Sequence, residues 1–250
     1  LIHHLNANVA AALQEDLRPL SPPLSRERER ESENHYVELL SADLTAQLIP
    51  ADKAGHATII TRQDAVLCGT AWFDACFRAL DPHCTISWSA QDGDAISARQ
   101  TLCEIHGNAR AMLSAERCAL NFLQTLSATA TLTRRYVELV RGTRAKILDT
   151  RKTLPGLRMA QKYAVLAGGG HNQRIGLFDG ILIKENHIMA AGGVRPVLAE
   201  AMRIAPAGVS IQIEVETLEQ LREALDAGAA LILLDNFDLA GMRAAVALTA

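Results

Sequence analysis

The second half of the chain alternates short apolar runs with amphipathic stretches. The apolar runs have the length of buried strands, and the stretches between them have helical spacing. This pattern predicts four strand–helix units, which are Ala145–Asp149 with Leu157–Ala167, Gly180–Ile183 with Val194–Ala205, Val209–Val215 with Thr217–Ala227, and Ala230–Leu234 with Leu239–Leu248. Successive strand–helix units indicate parallel strands, either in a barrel or in a doubly wound sheet.

The first half has a mixed pattern. Its β-rich runs are bounded by turn residues and predict the strands Ala57–Thr61, Ala65–Gly69, Cys84–Trp88 and Thr101–Ile105. Helical spacing predicts helices over Asn6–Leu17 and residues 111–141. Between them, residues 18–42 combine prolines with an Arg–Glu alternation and no apolar period, which predicts a flexible insertion.

Polar residues follow each of the four predicted strands of the second half. They are Asp149 to Lys152, Lys184 to His187, Glu214 with Glu216, and Asp235 with Asn236. Ligands bind at the carboxyl edge of parallel sheets, because strand-to-helix loops and helix N-termini converge there. Four charged strand ends in succession therefore predict an active site.

The residue types in this predicted site indicate the class of ligand. The cationic donors, which suit carboxylates or phosphates, are Arg151, Lys152, Arg174 and Lys184. Glu214 and Asp235 supply hard oxygen ligands for a partly hydrated Mg²⁺. Four of the five lysines fall within residues 146–184, which favours a cationic pocket, and Gly168–Gly170 would let backbone approach a ligand. We therefore expect a polyanionic substrate accompanied by Mg²⁺.

Composition narrows the remaining function classes. The net charge of −3 provides no positive field for nucleic acid or an anionic membrane, so we expect neither as a partner. No uncharged apolar run approaches the roughly 18–20 residues that span a bilayer, and Leu1–Asp16 does not resemble a secretory signal. The five cysteines form no C-x-x-C motif, which argues against a disulfide framework or a zinc site and favours reduced thiols in a cytoplasmic protein.

Several motifs, in this order along the chain, resemble the quinolinate phosphoribosyltransferase family. They are Glu-Arg-Cys-Ala-Leu-Asn-Phe at 116–122, Asp-Thr-Arg-Lys-Thr at 149–153, Gly-Gly-Gly-His-Asn-Gln-Arg at 168–174, Leu-Ile-Lys-Glu-Asn-His at 182–187 and Leu-Leu-Asp-Asn at 233–236. The resemblance implies an α/β fold. It places an N-terminal α/β sandwich domain over residues 1–117, with the insertion at 18–42, and an open α/β barrel over residues 118–250.

The resemblance also implies an activity and partners. Family members convert quinolinate and 5-phosphoribosyl-1-diphosphate to nicotinate mononucleotide, diphosphate and CO₂, on the de novo route to NAD. They are pentosyltransferases that use Mg²⁺, and they assemble as homodimers or dimer-based hexamers. Departure of diphosphate builds charge that Mg²⁺ and lysine neutralise, so this chemistry needs no protein nucleophile.

Residue by residue, the family motifs imply a substrate-binding set. It consists of Arg117, Thr150, Arg151, Lys152, Gln173, Arg174, Lys184, Glu214 and Asp235. Within that set, Arg151, Arg174 and Lys184 would hold the quinolinate carboxylates. Arg117 would reach into the site of the partner subunit, which makes dimerisation part of catalysis.

The motifs also imply which residues act on the phosphoribosyl donor. Lys152 would contact the donor directly, and Glu214 and Asp235 would serve its ribose and the Mg²⁺ ion. The implied catalytic residues are Lys152, Lys184, Glu214 and Asp235.

The chain departs from the family pattern at two motif positions. Gln173 replaces a histidine, and a glutamine cannot become cationic, so we expect weaker quinolinate binding with an unchanged reaction. Cys118 replaces a common threonine, and we expect little effect from it. Family members also continue beyond Ala250 with strand–helix units that contain a Ser-Gly-Gly phosphate loop, so we expect a barrel that lacks its last units.

Three alternatives remain open from the sequence. The first is a non-catalytic or impaired homologue, which Gln173 and the expected missing units favour. The second is a related phosphoribosyltransferase that acts on another heteroaromatic acid. The third is a Schiff-base aldolase that uses Lys184, although the polar residues after Lys184 argue against the desolvated lysine that such an enzyme needs.

Overall fold

The chain divides into two compact units, Leu1–Gln173 and Arg174–Ala250. The computed structural model describes residues 1–17 and 42–249. The predicted insertion at 18–42 lies outside the described residues except for Ala42. Among the described residues, no helix combines the length and the apolar character needed to cross a bilayer.

The strands of the first unit form two antiparallel groups. They are β1 (Ala54–Ile60), β2 (Ala65–Val66), β3 (Thr85–Trp88), β4 (Ala95–Ile96) and β5 (Thr101–Asn108). β5 is the central strand of a three-stranded sheet in the order β1-β5-β3, and β2 pairs with β4. Exposed and more buried side chains alternate along β1 and β3, so one face of this sheet packs on the core and the other is exposed. The four strands predicted in this half are confirmed, with shifted ends.

The helices of the first unit share one hydrophobic core with the buried face of that sheet. They are α1 (Ile2–Leu17), α2 (Thr70–Leu80), α3 (Ala109–Leu139) and α4 (Arg158–Ala167). α3 begins where Asn108 accepts hydrogen bonds from the backbone N–H groups of Arg110 and Ala111, which satisfies donors that lack a partner within the helix. The fully buried side chains of the core include Trp72, Phe73, Ile105 and Leu126.

Helix α2 was missed in the sequence, where this region was interpreted as strands and turns. Its buried residues have helical spacing, and they are Trp72, Phe73, Cys76, Phe77 and Leu80. The start of the helix is fixed from a distance, because Asp92 accepts hydrogen bonds from the backbone N–H groups of Gly69 and Thr70. Aromatic residues also favour strands, so local composition hid the helix.

The glycine run after α4 has a packing role. A Cβ atom at Gly168 would lie 2.5 Å from the carbonyl oxygen of Ala130, and one at Gly170 would lie 2.8 Å from Cγ2 of Thr133. Ala130 and Thr133 both belong to α3. Close packing against α3 therefore explains the glycines at 168 and 170. The prediction that this run lets a ligand approach the backbone is not needed for these two positions.

The second unit contains a three-stranded parallel sheet. Its strands are β6 (Gly180–Ile183), β7 (Ser210–Val215) and β8 (Leu231–Leu234), with β7 in the centre. Its helices are α5 (Glu185–Ala191), α6 (Val194–Ile204), α7 (Leu218–Asp226) and α8 (Leu239–Thr249). Three of the four predicted strand–helix units are therefore confirmed, and the short helix α5 was not predicted.

The remaining one of these four predicted strands, Ala145–Asp149, is wrong. Within the described part of the chain, this segment pairs only through an isolated parallel bridge between Leu148 and His171. Ala145, Lys146 and Leu148 are exposed, so the run lacks the buried position that its apolar residues suggested.

The cysteines are free and buried, as the sequence predicted. Burial raises the pKa of Cys76 and Cys103 to about 12, and burial together with the neighbouring Asp16 carboxylate does the same for Cys118. These side chains are therefore protonated thiols at neutral pH, which are poor nucleophiles and poor metal ligands.

An ion pair is buried in the first unit. Lys162 on α4 donates from Nζ to Oδ1 of Asp149 at 2.6 Å, and the two side chains are only 1% and 6% exposed. Lys162 therefore does not contribute to an open cationic pocket, which corrects the interpretation of the lysine cluster. A buried charge of this kind is tolerated only while it is paired.

We expect Lys162→Met to lower the free energy of unfolding by about 3–5 kcal/mol, because it leaves the Asp149 carboxylate buried without its partner. Denaturant titration followed by circular dichroism measures this change. The double variant Asp149→Asn with Lys162→Met removes both charges and should recover much of the loss. Lys146→Met, at an exposed position, should change the stability by less than about 0.5 kcal/mol. A single Lys162→Met variant as stable as the unmodified protein would contradict the prediction.

Candidate active site

The predicted site residues fall in both units of the chain. Those of the first unit are Arg117, Thr150, Arg151, Lys152 and Gln173. Those of the second unit are Arg174, Lys184, Glu214 and Asp235.

A short loop of the first unit carries three of these residues. The loop starts where the backbone N–H of Asp149 donates to the carbonyl oxygen of His171 at 3.0 Å. Thr150 then accepts a hydrogen bond from the backbone N–H of Lys152 at 3.0 Å, which closes a tight turn. The side chains of Thr150 and Lys152 are exposed.

Arg151 has a different environment within that loop. Arg151 as a whole is half-buried, but its Nε atom is fully buried and has no hydrogen-bond partner among the described residues. Leaving a buried charged donor unpaired is costly. An anionic group that enters beside Arg151 would remove that cost.

The buried ion pair also fixes the position of Gln173. Oδ1 of Asp149 accepts from the backbone N–H of Gln173 at 2.8 Å, and the Gln173 carbonyl oxygen accepts from Lys162 Nζ at 3.1 Å. With its side-chain amide oriented to satisfy both its oxygen and its nitrogen, Asn172 donates from that nitrogen to Oδ2 of Asp149 at 2.8 Å. Gln173, which stands where the family motif has a histidine, is thus held through both of its backbone polar groups.

Sequence reasoning missed the role of Lys162. Ala160 and Ala164 lie on one face of α4, and Lys162, two positions from each, lies on the opposite side, although all three are buried. The local pattern therefore gives no signal for the buried lysine, since its partner Asp149 comes from another segment of the chain.

Lys184 and Glu214 form an ion pair in the second unit. Lys184 lies between β6 and α5, and its Nζ is 3.1 Å from Oε2 of Glu214 on β7. The Lys184 side chain is 46% exposed, whereas that of Glu214 is 11% exposed. His187 orients the start of α5, because its Nδ1 accepts from the backbone N–H of Lys184 at 2.9 Å. The structure therefore brings together two of the predicted catalytic residues.

Asp235 follows β8 at the same end of this sheet. Its backbone N–H donates to the carbonyl oxygen of Val215 at 2.9 Å, so the ladder between β7 and β8 continues to this residue. Glu214 is paired in register with Leu233, and alternation along β8 puts Asp235 on the same face as Leu233. Glu214 and Asp235 therefore share one face of the sheet near its carboxyl edge.

Neighbouring polar groups brace this edge. Asn236 has a left-handed backbone with a φ of 59°, and its amide nitrogen donates to Glu216 at 3.1 Å and to Asp235 at 3.3 Å. These contacts connect the ends of β7 and β8. They orient Asp235 beside the strand that carries Glu214.

Arg174 and Arg117 have separate surroundings. Arg174 is half-buried and donates from Nη1 to the carbonyl oxygen of Gly180 at 3.1 Å within the second unit. Arg117 is exposed on α3 of the first unit and lines a hollow with Asp16, Asp43 and other residues that are not in the predicted site. The roles implied for both arginines remain predictions.

Comparison with known proteins identifies the family. The family model for the quinolinate phosphoribosyl transferase N-terminal domain matches residues 43–127, and that for the C-terminal domain matches residues 129–250. The predicted domain boundary at 117/118 remains a prediction.

Relatives and solved structures agree with the family models. A probable nicotinate-nucleotide pyrophosphorylase (carboxylating) of Bacillus subtilis is 43% identical over 205 residues, which are 81% of this chain and 71% of the relative. A mitochondrial quinolinate phosphoribosyltransferase (decarboxylating) of Nicotiana tabacum is 39% identical over 181 residues, which are 71% of this chain and 51% of the relative. The structure of the nicotinate-nucleotide pyrophosphorylase from Francisella tularensis superposes with a TM-score of 0.86 at 38% identity and covers 98% of this chain and 79% of that one.

The predicted α/β fold class, with an N-terminal domain followed by a barrel-like domain, is thereby confirmed. On the evidence of both family models and of these relatives, the chain belongs to the quinolinate phosphoribosyltransferase family.

Proposed function

We propose that this protein transfers the phosphoribosyl group of 5-phosphoribosyl-1-diphosphate to quinolinate, with loss of CO₂. The products are nicotinate mononucleotide and diphosphate, on the de novo route to NAD. Family membership supports this activity. The structural observation that best supports it is the Nε atom of Arg151, a buried cationic donor that has no hydrogen-bond partner among the described residues and could bind a substrate anion.

The dicarboxylate substrate suits the cationic residues of the motifs. Arg151 and Arg174 offer planar guanidinium groups, which bind carboxylates through two parallel hydrogen bonds. Lys184 supplies a third positive charge, and its exposure lets it turn from Glu214 to a substrate carboxylate. Gln173 donates a neutral hydrogen bond from a backbone position that the buried ion pair holds.

The bond changes of the proposed reaction balance without a protein nucleophile. The pyridine nitrogen attacks the anomeric carbon of the ribose, and the bond from that carbon to the diphosphate oxygen breaks. The positive charge on the pyridinium then stabilises the carbanion left when the adjacent carboxylate departs as CO₂. A proton from solvent takes the place of that carboxylate. The contribution of this chain is to hold two reactants in line, which supplies roughly 7–11 kcal/mol of the barrier.

Mg²⁺ fits the donors at the edge of the parallel sheet. Glu214 and Asp235 lie on one face of adjacent strands, and two carboxylates with several waters are a usual set for this ion. Bound there, Mg²⁺ would neutralise negative charge on the departing diphosphate. Lys152, which is exposed on its loop, would provide a further positive charge for the donor.

The Schiff-base alternative has less support. A lysine that forms Schiff bases is activated by desolvation or by a neighbouring cation. Lys184 is instead half-exposed and paired with the carboxylate of Glu214.

The proposed assembly is a homodimer, or a hexamer built from dimers, in which Arg117 completes the site of the partner subunit. Its exposure on α3 supports this role, since a side chain that serves another subunit must project from its own. Free, buried cysteines suit a reducing compartment, so we place the protein in the cytoplasm.

The first test is an assay of the full chain with quinolinate, 5-phosphoribosyl-1-diphosphate and Mg²⁺, following nicotinate mononucleotide by chromatography. We expect product from the unmodified protein and a loss of about 100-fold or more in kcat/KM for Glu214→Gln, which removes a charged Mg²⁺ ligand. Glu219→Gln, in the exposed first turn of α7, is the matched control and should retain activity. Absence of product from a folded protein would refute the proposed activity and favour a non-catalytic homologue.

Arg151→Lys tests carboxylate recognition. The lysine keeps the positive charge but loses the planar pair of donors, which is worth roughly 1.5–3 kcal/mol for a charged hydrogen bond. We therefore expect the KM for quinolinate to rise about 10- to 100-fold and the KM for the phosphoribosyl donor to change little. Steady-state kinetics with each substrate varied in turn measure both, with Arg144→Lys as an exposed control on the preceding segment. An unchanged KM for quinolinate would remove Arg151 from the site.

Gln173→His tests the departure from the family motif. A histidine can carry positive charge toward the dicarboxylate, so we expect a lower KM for quinolinate, with the larger effect at lower pH. Gln173→Leu removes the polar group and should raise that KM instead. Equal KM values for quinolinate in the unmodified protein and the Gln173→His variant would show that the glutamine does not weaken binding.

A further inference from the structure

The exposed face of the antiparallel sheet carries two histidines side by side. His56 on β1 and His106 on β5 are directly opposite each other in the strand register. Glu104 precedes His106 by two residues on β5, so its side chain lies on the same face. All three residues are exposed, and none belongs to the site proposed for phosphoribosyl transfer.

The three side chains of this cluster lie close together. The two imidazole rings are stacked, with centroids 4.3 Å apart and planes inclined by 13°. One nitrogen of each ring and one oxygen of Glu104 all lie within 4.8 Å of one another. Within residues 1–17 and 42–249, no hydrogen bond engages these three side chains.

The surroundings of the cluster leave room for an ion. Thr58 faces Glu104 across the sheet, and Thr85 and Ser87 on β3 occupy the neighbouring positions of the same face. These side chains are short and polar. The two ligands on β5 belong to the central strand, which is hydrogen-bonded on both sides, so the backbone that carries them is rigid.

We propose that His56, Glu104 and His106 form a binding site for a divalent transition-metal ion, with Zn²⁺ as the best match. Two imidazole nitrogens and one carboxylate oxygen are a common protein set for Zn²⁺, and a water completes the tetrahedron. Imidazole ligands select against Mg²⁺ and Ca²⁺, which prefer oxygen. The sequence argument against zinc concerned cysteine ligands, and this site uses none.

Binding requires only small side-chain movements. Ligand atoms with bonds of about 2.0–2.2 Å to a tetrahedral Zn²⁺ lie roughly 3.3 Å apart. The ligand atoms now lie within 4.8 Å of one another, and rotations of the exposed side chains would shorten these separations to the required distance. Backbone rearrangement is not needed, because the strand register already sets the ligands opposite one another.

Calorimetric titration of the full chain with Zn²⁺, after removal of metals with a chelator, tests the site. We expect one ion per chain at this site, and an affinity at least about tenfold lower for His56→Thr and for His106→Thr, since even loss of an indirect partner of a metal ligand costs that much. Threonine suits an exposed strand position, and circular dichroism checks that the variants fold. Glu104→Gln keeps the shape of the third ligand and should also weaken binding.

The control variant replaces the other adjacent histidine pair. His3 and His4 are exposed near the start of α1, and the double variant His3→Ala with His4→Ala should bind Zn²⁺ as the unmodified protein does. Absence of Zn²⁺ binding, loss of binding in this control, or full affinity in both threonine variants would each overturn the proposal. Because the readout is metal binding, the result does not depend on phosphoribosyl transfer.

Discussion

The buried pair of Asp149 and Lys162 is the interaction on which the site loop of the first unit depends. Separating the two charges would leave each of them buried and unpaired, which is costly, so the pair holds a fixed position. From that point, Asp149 leads directly into the loop with Arg151 and also holds the backbone of Gln173. Two segments of the family motifs are thereby positioned by one contact, and such preorganisation is what a binding site requires.

The ion pair of the second unit has the opposite character. Lys184 and Glu214 are also in contact, but Lys184 is half-exposed and loses little when it changes partner. Burial thus separates a lysine that supports the structure from one that can bind a substrate. Lys162 and Lys184 have the same side chain, and only their burial distinguishes their roles.

Much of the fold could be predicted from the sequence, and the failures have physical causes. β6, β7 and β8 are apolar runs that carry their own pattern, and they were predicted within a residue or two. Helix α2 was missed because its aromatic residues also favour strands and its N-terminus is capped by Asp92, far along the chain. The predicted strand at Ala145–Asp149 failed because a strand requires a partner, and a single bridge is all that the described chain provides.

The sequence by itself determined the chemistry that the chain carries, because the family motifs are local runs such as Asp149–Thr153, and a local run can be recognised without a structure. Only the tertiary structure decided which groups meet and which are buried. It removed Lys162 from the set of binding cations and paired His56 with His106 across two strands. These outcomes depend on strand register and on packing between distant segments, and no local pattern of side chains specifies either.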